Sequence, residues 1–159
     1  MPAPWGLVDM GPLVTVTLGH PNDYVGMESH RPAEFPRRKM LIDTGAAFTL
    51  IESSVAATLG FRPIRYREVI GIDQKPTMRP VFRMSLGLEV GDGQGNNHTV
   101  VFKEQVVGMP DPVRSEGYVG LLGRDFLRHF ILTYDGPQAR FSLARKRHVS
   151  APPTAKPSL

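Results

Sequence analysis

The sequence predicts an all-β fold that carries one or two short helices. Three observations support that expectation. Runs of Val, Leu, Ile and Phe are short, and fifteen prolines and sixteen glycines punctuate them. Leu13–Leu18 and Phe82–Val90 alternate apolar and polar positions at the two-residue period of a half-buried strand. Only two stretches, 52–60 and 124–130, read as helix. A chain of 159 residues fits one domain with a substantial core.

Taken in order, residues 1–10 form a loose lead-in to a domain over 11–145. Leu13-Val14-Thr15-Val16-Thr17-Leu18 is the first strand, because β-branched residues suit a pleated surface. Residues 19–36 are polar and broken by Pro21, Gly26, Pro32 and Pro36, the composition of a surface loop. Arg37-Arg38-Lys39 leads into a strand ending at Asp43, and a second strand leaves through Ile51. Glu52–Gly60 is alanine-rich, with an acid at its start and a glycine suited to the position just past a helix end. Residues 67–82 form a hairpin around a polar tip. Pro76 and Pro80 cannot donate to a ladder, so its outgoing arm belongs at a sheet edge. A strand over 82–90 follows, then a Gly- and Asn-rich turn lacking the spacing and distal glutamate of a calcium loop. Residues 99–102 and 105–107 are further strand, 109–117 a loop, and 118–122 a buried strand. Phe126, Leu127 and Phe130 share one face of a short helix over 124–130; strands over 130–135 and 139–144 flank a Gly136-Pro137 turn. From residue 146 to 159 the chain is basic, proline-rich and expected to be disordered.

Composition narrows the function classes. The absence of cysteine removes disulfides, zinc–thiolate sites and thiol catalysis, and fits a reducing cytoplasm. No apolar run is long enough to span a membrane, and the first residues lack the basic and apolar regions of a signal peptide. The net charge of +4 belongs to the tail. Residues 140–159 hold five cations and no acid, which leaves −1 for the remainder. This is the pattern of a solvated end rather than a nucleic-acid surface. The five histidines show no metal-ligand spacing, and no metal or cofactor is expected. Nucleophile-elbow, zinc-protease and phosphate-loop motifs are absent.

The organising stretch is Met40-Leu41-Ile42-Asp43-Thr44-Gly45-Ala46-Ala47-Phe48-Thr49-Leu50-Ile51. A carboxylate at the end of a buried strand is costly unless it is hydrogen-bonded, paired or functional. Alone, Asp-Thr-Gly reads as an Asx turn capping a strand. A second segment, Tyr118-Val119-Gly120-Leu121-Leu122-Gly123-Arg124-Asp125, changes that reading, with Gly123 standing 80 positions after Asp43. Together, and in this order, the two segments resemble the retroviral-type (retropepsin-like) aspartic peptidases over roughly residues 13–143. In that family each short chain brings one Asp-Thr/Ser-Gly and one hydrophobic-hydrophobic-Gly segment, and two chains build one active site.

The resemblance implies a closed six-stranded-type β-barrel with a flap hairpin, and an aspartic endopeptidase acting on peptide or protein substrates. It implies that Asp43 is the catalytic acid/base, with Thr44 and Gly45 bracing the paired active-site loops. Leu122 and Gly123 then lie beneath the Asp43 turn. Ala46, Ile70, Gly71 and Ile72 line the substrate cleft. Arg124 matches a family arginine that pairs with an acid four positions after the catalytic aspartate; that position here is Ala47, so the pair cannot form in the same way. Neither Asp125, expected to cap a helix, nor Asp135, expected in a turn, sits in a second Thr-Gly motif. A homodimer is therefore expected to supply the second acid by symmetry. The competing expectation is a dimeric peptide-binding or assembly module that keeps the fold with little or no turnover.

Overall fold

The computed structural model describes residues 11–21, 36–71, 74–91, 97–110 and 117–144. The expected lead-in over 1–10 and tail over 146–159 lie outside them. Among the described residues, nine strands and two short helices follow in the order β1 (Leu13–Gly19), β2 (Arg37–Ile42), β3 (Leu50–Glu52), α1 (Ser53–Thr58), β4 (Arg65–Ile70), β5 (Pro76–Gly91), β6 (Asn97–Met109), β7 (Gly120–Leu122), α2 (Arg124–Leu127), β8 (Ile131–Asp135) and β9 (Arg140–Ala144).

Six strands close on themselves. The order β1-β2-β7-β3-β6-β5 returns to β1 through the pairing of Val16–Gly19 with Ser85–Leu88, which makes a six-stranded barrel. Closure gives each of the six strands a neighbour on both sides within the barrel, and among the described residues β5 alone runs on past it into the pairing with β4. The core holds side chains from every wall, among them Val16 and Leu18 of β1, Met40 of β2, Ile51 of β3, Met84 and Leu86 of β5, Val106 of β6 and Leu122 of β7. Phe126 of α2 is fully buried in the same cluster. The β8–β9 hairpin packs Leu132, Phe141 and Leu143 against it.

β5 is one strand of sixteen residues where the sequence suggests a hairpin arm followed by a separate strand. Its first part pairs with β4, from Ile70 opposite Pro76 to Arg65 opposite Val81. From Val81 onward it pairs with β6, and from Ser85 to Leu88 with β1 as well. Over 76–80 it has β4 as its one ladder partner among the described residues. Both prolines therefore lie where a missing N–H costs no hydrogen bond, as the edge expectation requires.

α1 ends as its glycine foretells. Gly60 adopts φ +79°, its N–H donates to the Ala57 carbonyl, and the Phe61 N–H donates to the Ala56 carbonyl. This is a Schellman closure, with Phe61 buried just past it. α2 is shorter than the sequence suggests. It stops at Leu127, and two tight turns carry Phe130 to the core. Among the described residues no helix is long and apolar enough to cross a membrane.

Candidate active site

Strand β7 explains the position of Asp43. It lies between the two arms of the Asp43 loop, parallel to β2 (Ile42 opposite Leu122) and antiparallel to β3 (Ile51 opposite Gly120). The Asp43 N–H donates to the Leu122 carbonyl at 3.0 Å, and the Arg124 N–H donates to the Ala46 carbonyl at 2.9 Å. The loop is thus fastened on its entering and leaving sides by the Leu122-Gly123-Arg124 segment. The fit is tight enough to demand glycine at 123. A Cβ there would overlap the Phe48 carbonyl group and stand 2.9 Å from the Thr49 nitrogen.

The half-buried Asp43 carboxylate is held by its own turn. Oδ1 accepts the N–H of Gly45 at 2.8 Å and that of Ala46 at 3.2 Å, the geometry of an Asx turn. Oδ2 has no hydrogen-bond partner among the described residues. One oxygen therefore orients the group and the other remains available for chemistry. Thr44 and Gly45 are exposed on the single chain and Ala46 is half-buried.

Arg124 replaces its missing acid with backbone. One guanidinium nitrogen donates to the carbonyls of Thr44 at 2.9 Å and Gly45 at 3.0 Å, so the cation grips the loop that carries Asp43. Fully buried Leu122 lies beneath.

Asp125 corrects one expectation. The residue capping α2 is Gly123, and no side chain caps the helix. Because the helix begins at Arg124, Asp125 lies inside its first turn and reaches sideways. Its Oδ2 accepts the Thr49 N–H at 3.0 Å, and its Oδ1 accepts the Thr49 hydroxyl at 2.8 Å and the Phe126 N–H at 2.8 Å. Thr49, fully buried, accepts the Gly123 N–H at 3.2 Å. Sequence reasoning did not single out Thr49; its one signal was a hydroxyl within an apolar run. Asp135 behaves as a turn residue, accepting the Gln138 N–H at 3.1 Å.

A family model described as aspartyl protease matches residues 36–126, more than half of the chain, and spans both the Asp43 loop and the Leu122-Gly123-Arg124 segment. The chain belongs to the aspartyl protease family. The retropepsin-like resemblance in the sequence and the closed barrel agree with this membership. Among solved structures, the chain is similar to a retropepsin-like aspartic protease from Rickettsia conorii, at 18% identity over 77% of this chain and 86% of that one, with a TM-score of 0.41. No curated protein sequence matches it.

Within this aspartyl protease domain, the β4–β5 hairpin meets the loop at one point. The Arg67 guanidinium lies over the Phe48 ring, 3.7 Å from its centroid, a cation–π contact. Strand alternation puts Val69 on the same hairpin face as Arg67. Ile70 is on the opposite face and 66% exposed, beside exposed Tyr66 and Met78. Gly71 begins the tip and its carbonyl accepts the Gln74 N–H. Ile72 lies outside the described residues.

Proposed function

We propose that the chain is an aspartic endopeptidase whose active site forms between two copies, each supplying Asp43. The observation carrying this reading is the Asp43 carboxylate, fixed through Oδ1 and open at Oδ2. Among the described residues, the two other aspartates are engaged: Asp125 uses both oxygens on Thr49 and Phe126, and Asp135 closes a turn. In this reading the second carboxylate comes from a second chain, because a two-fold axis would pair Asp43 with its own copy.

Two carboxyl groups about 3 Å apart cannot both ionise, so they share one proton. The carboxylate takes a proton from the attacking water while the protonated partner donates to the peptide carbonyl. The tetrahedral intermediate then collapses as the amine leaves with a proton. Thr44 and Gly45 brace the paired loops, while Leu122, Gly123 and Arg124 hold each loop in place. The β4–β5 hairpin acts as a flap over an extended substrate, with Ala46, Gly71 and Ile72 lining the cleft; Ile70, expected there from the sequence, lies on the hairpin face turned from the Asp43 loop. Such a peptide binds as an added strand.

The test compares wild type, Asp43→Asn and Asp43→Ala on a peptide library from about pH 3 to about pH 7, the range in which a shared-proton pair works. Cleavage lost in both variants, with wild-type cleavage blocked by a statine-type transition-state mimic, supports the reading. Cleavage surviving either substitution overturns it. Binding of peptides without cleavage by wild type favours an assembly or peptide-binding role.

A further inference from the structure

A second feature adjoins the Asp43 loop. A cleft of about 390 Å³ opens between the start of the β4–β5 hairpin, β6 and α2, lined by Phe48, Arg67, Arg83, Glu104, Asp125 and Arg128 together with Gln105. Three arginines converge on it from three different elements. Its two acids are already occupied. Asp125 spends its oxygens on Thr49 and Phe126, and Glu104 is bonded to His129 Nε2 at 3.1 Å. Gln105 accepts from Arg65 at 2.6 Å.

The arginines have donors to spare. Among the described residues no carboxylate stands within ion-pair distance of Arg67, Arg83 or Arg128. Arg67 stacks its guanidinium carbon over the Phe48 ring, a contact that uses the face of the cation and none of its N–H donors. Arg128 Nε lies 3.5 Å from His129 Nε2, the nitrogen that also meets Glu104 at 3.1 Å, and it has no other hydrogen-bond partner among the described residues. A guanidinium presents a planar fork of donors that matches a carboxylate, and several around one cleft form a site for an anion.

We propose that this cleft receives an acidic side chain of the peptide substrate, a few residues away from the bond that is cut. The proposal rests on the endopeptidase reading for its ligand. Phe48 belongs to the loop that carries Asp43 and lines the cleft together with Arg67 of the hairpin, so the cleft adjoins that loop. An extended peptide advances about 3.3 Å per residue, with alternate side chains on one face. A substrate strand passing the cleft would turn a side chain from one of its faces into it, and the position concerned is what the experiment reads.

The probe is a set of decapeptides in which Glu, Gln or Lys is placed in turn at each position of an otherwise constant apolar sequence. Wild type is expected to prefer Glu about tenfold in kcat/KM at one position, as suits a charged hydrogen-bonded pair. Arg83→Glu is expected to reverse the preference toward Lys at that position, which a misfolded protein cannot do; Arg128→Gln weakens it without reversal. Equal cleavage of the Glu and Gln peptides everywhere, or a Glu preference unchanged in Arg83→Glu, overturns the proposal while leaving the endopeptidase reading in place. Should wild type cut none of them, the same peptides are titrated against Asp43→Asn protein by fluorescence anisotropy. Tighter binding of the Glu peptide that vanishes in Asp43→Asn/Arg83→Glu upholds the site, and equal or absent binding overturns it.

Discussion

The Thr49 hydroxyl donates to Asp125 Oδ1 at 2.8 Å while accepting the Gly123 N–H at 3.2 Å, joining segments 76 residues apart. With the Thr49 N–H on Asp125 Oδ2, the first turn of α2 is bonded to the strand leaving the Asp43 loop. Asp125→Ala strands a buried N–H and a buried hydroxyl and is expected to destabilise the fold by about 2–6 kcal/mol, since each orphaned group costs roughly 1–3 kcal/mol. Asp125→Asn keeps one acceptor and is expected to cost less. Urea unfolding with an unchanged m-value measures both.

Two glycines separate crowding from backbone strain. At Gly123 an added Cβ meets backbone, which cannot rotate away, so Gly123→Ala is expected to cost about 3 kcal/mol or more and to dislodge the Asp43 loop. At Gly60 nothing lies within 4 Å, but φ is +79°. Gly60→Ala is expected to cost about 1–2 kcal/mol from the left-handed conformation alone. Peptide cleavage per folded molecule should fall in the first variant and hold in the second. Equal effects on cleavage would mean that the loop does not depend on the β7 insertion.

Much of the fold was legible because its signals are local. The alternation in Leu13–Leu18 fixes β1, Gly60 fixes the end of α1, and two apolar runs flanking an Asp-Thr-Gly turn announce the loop. The pairing of that loop with Leu122-Gly123 came from family resemblance, and the β7 insertion supplies its physical reason. β5 was harder to read. The hairpin arm with Pro76 and Pro80 and the alternating run from Phe82 read as two strands, yet they are one; at a spacing of four both proline nitrogens face the same way, toward the side without a partner. Thr49 and Asp125 were not legible as a pair because no local spacing links a hydroxyl to a carboxylate 76 residues later. The α2 reading erred on length, since Phe130 reaches the core through a turn in place of another helical turn.

Arg124 acts on the loop through two carbonyls, so its contribution should appear in catalysis more than in stability. The side chain is exposed, and its loss leaves water free to hydrate the Thr44 and Gly45 carbonyls. Arg124→Met is expected to lower kcat by about tenfold or more through a looser Asp43 position, with a modest change in KM and little change in unfolding midpoint. Arg124→Lys keeps the charge but not the fork and should recover only part of the rate. A rise in KM at constant kcat would instead assign Arg124 to substrate binding.

The shared-site proposal makes a quantitative demand on mixtures. If each site needs Asp43 from both chains, wild type equilibrated with an equal amount of Asp43→Asn protein forms heterodimers with a single usable acid. Random pairing leaves about one quarter of the dimers wild type on both sides, so activity should fall to about half that of the same wild-type protein alone. Asp43→Asn suits this role because its side-chain oxygen can still accept the Gly45 and Ala46 N–H groups. Sedimentation at the assay concentration fixes the dimer fraction, and dilution below it should reduce activity faster than in proportion to protein. Activity that stays at the wild-type level in the mixture, with heterodimers present, would mean that a single Asp43 suffices and that the second acid lies elsewhere in the chain.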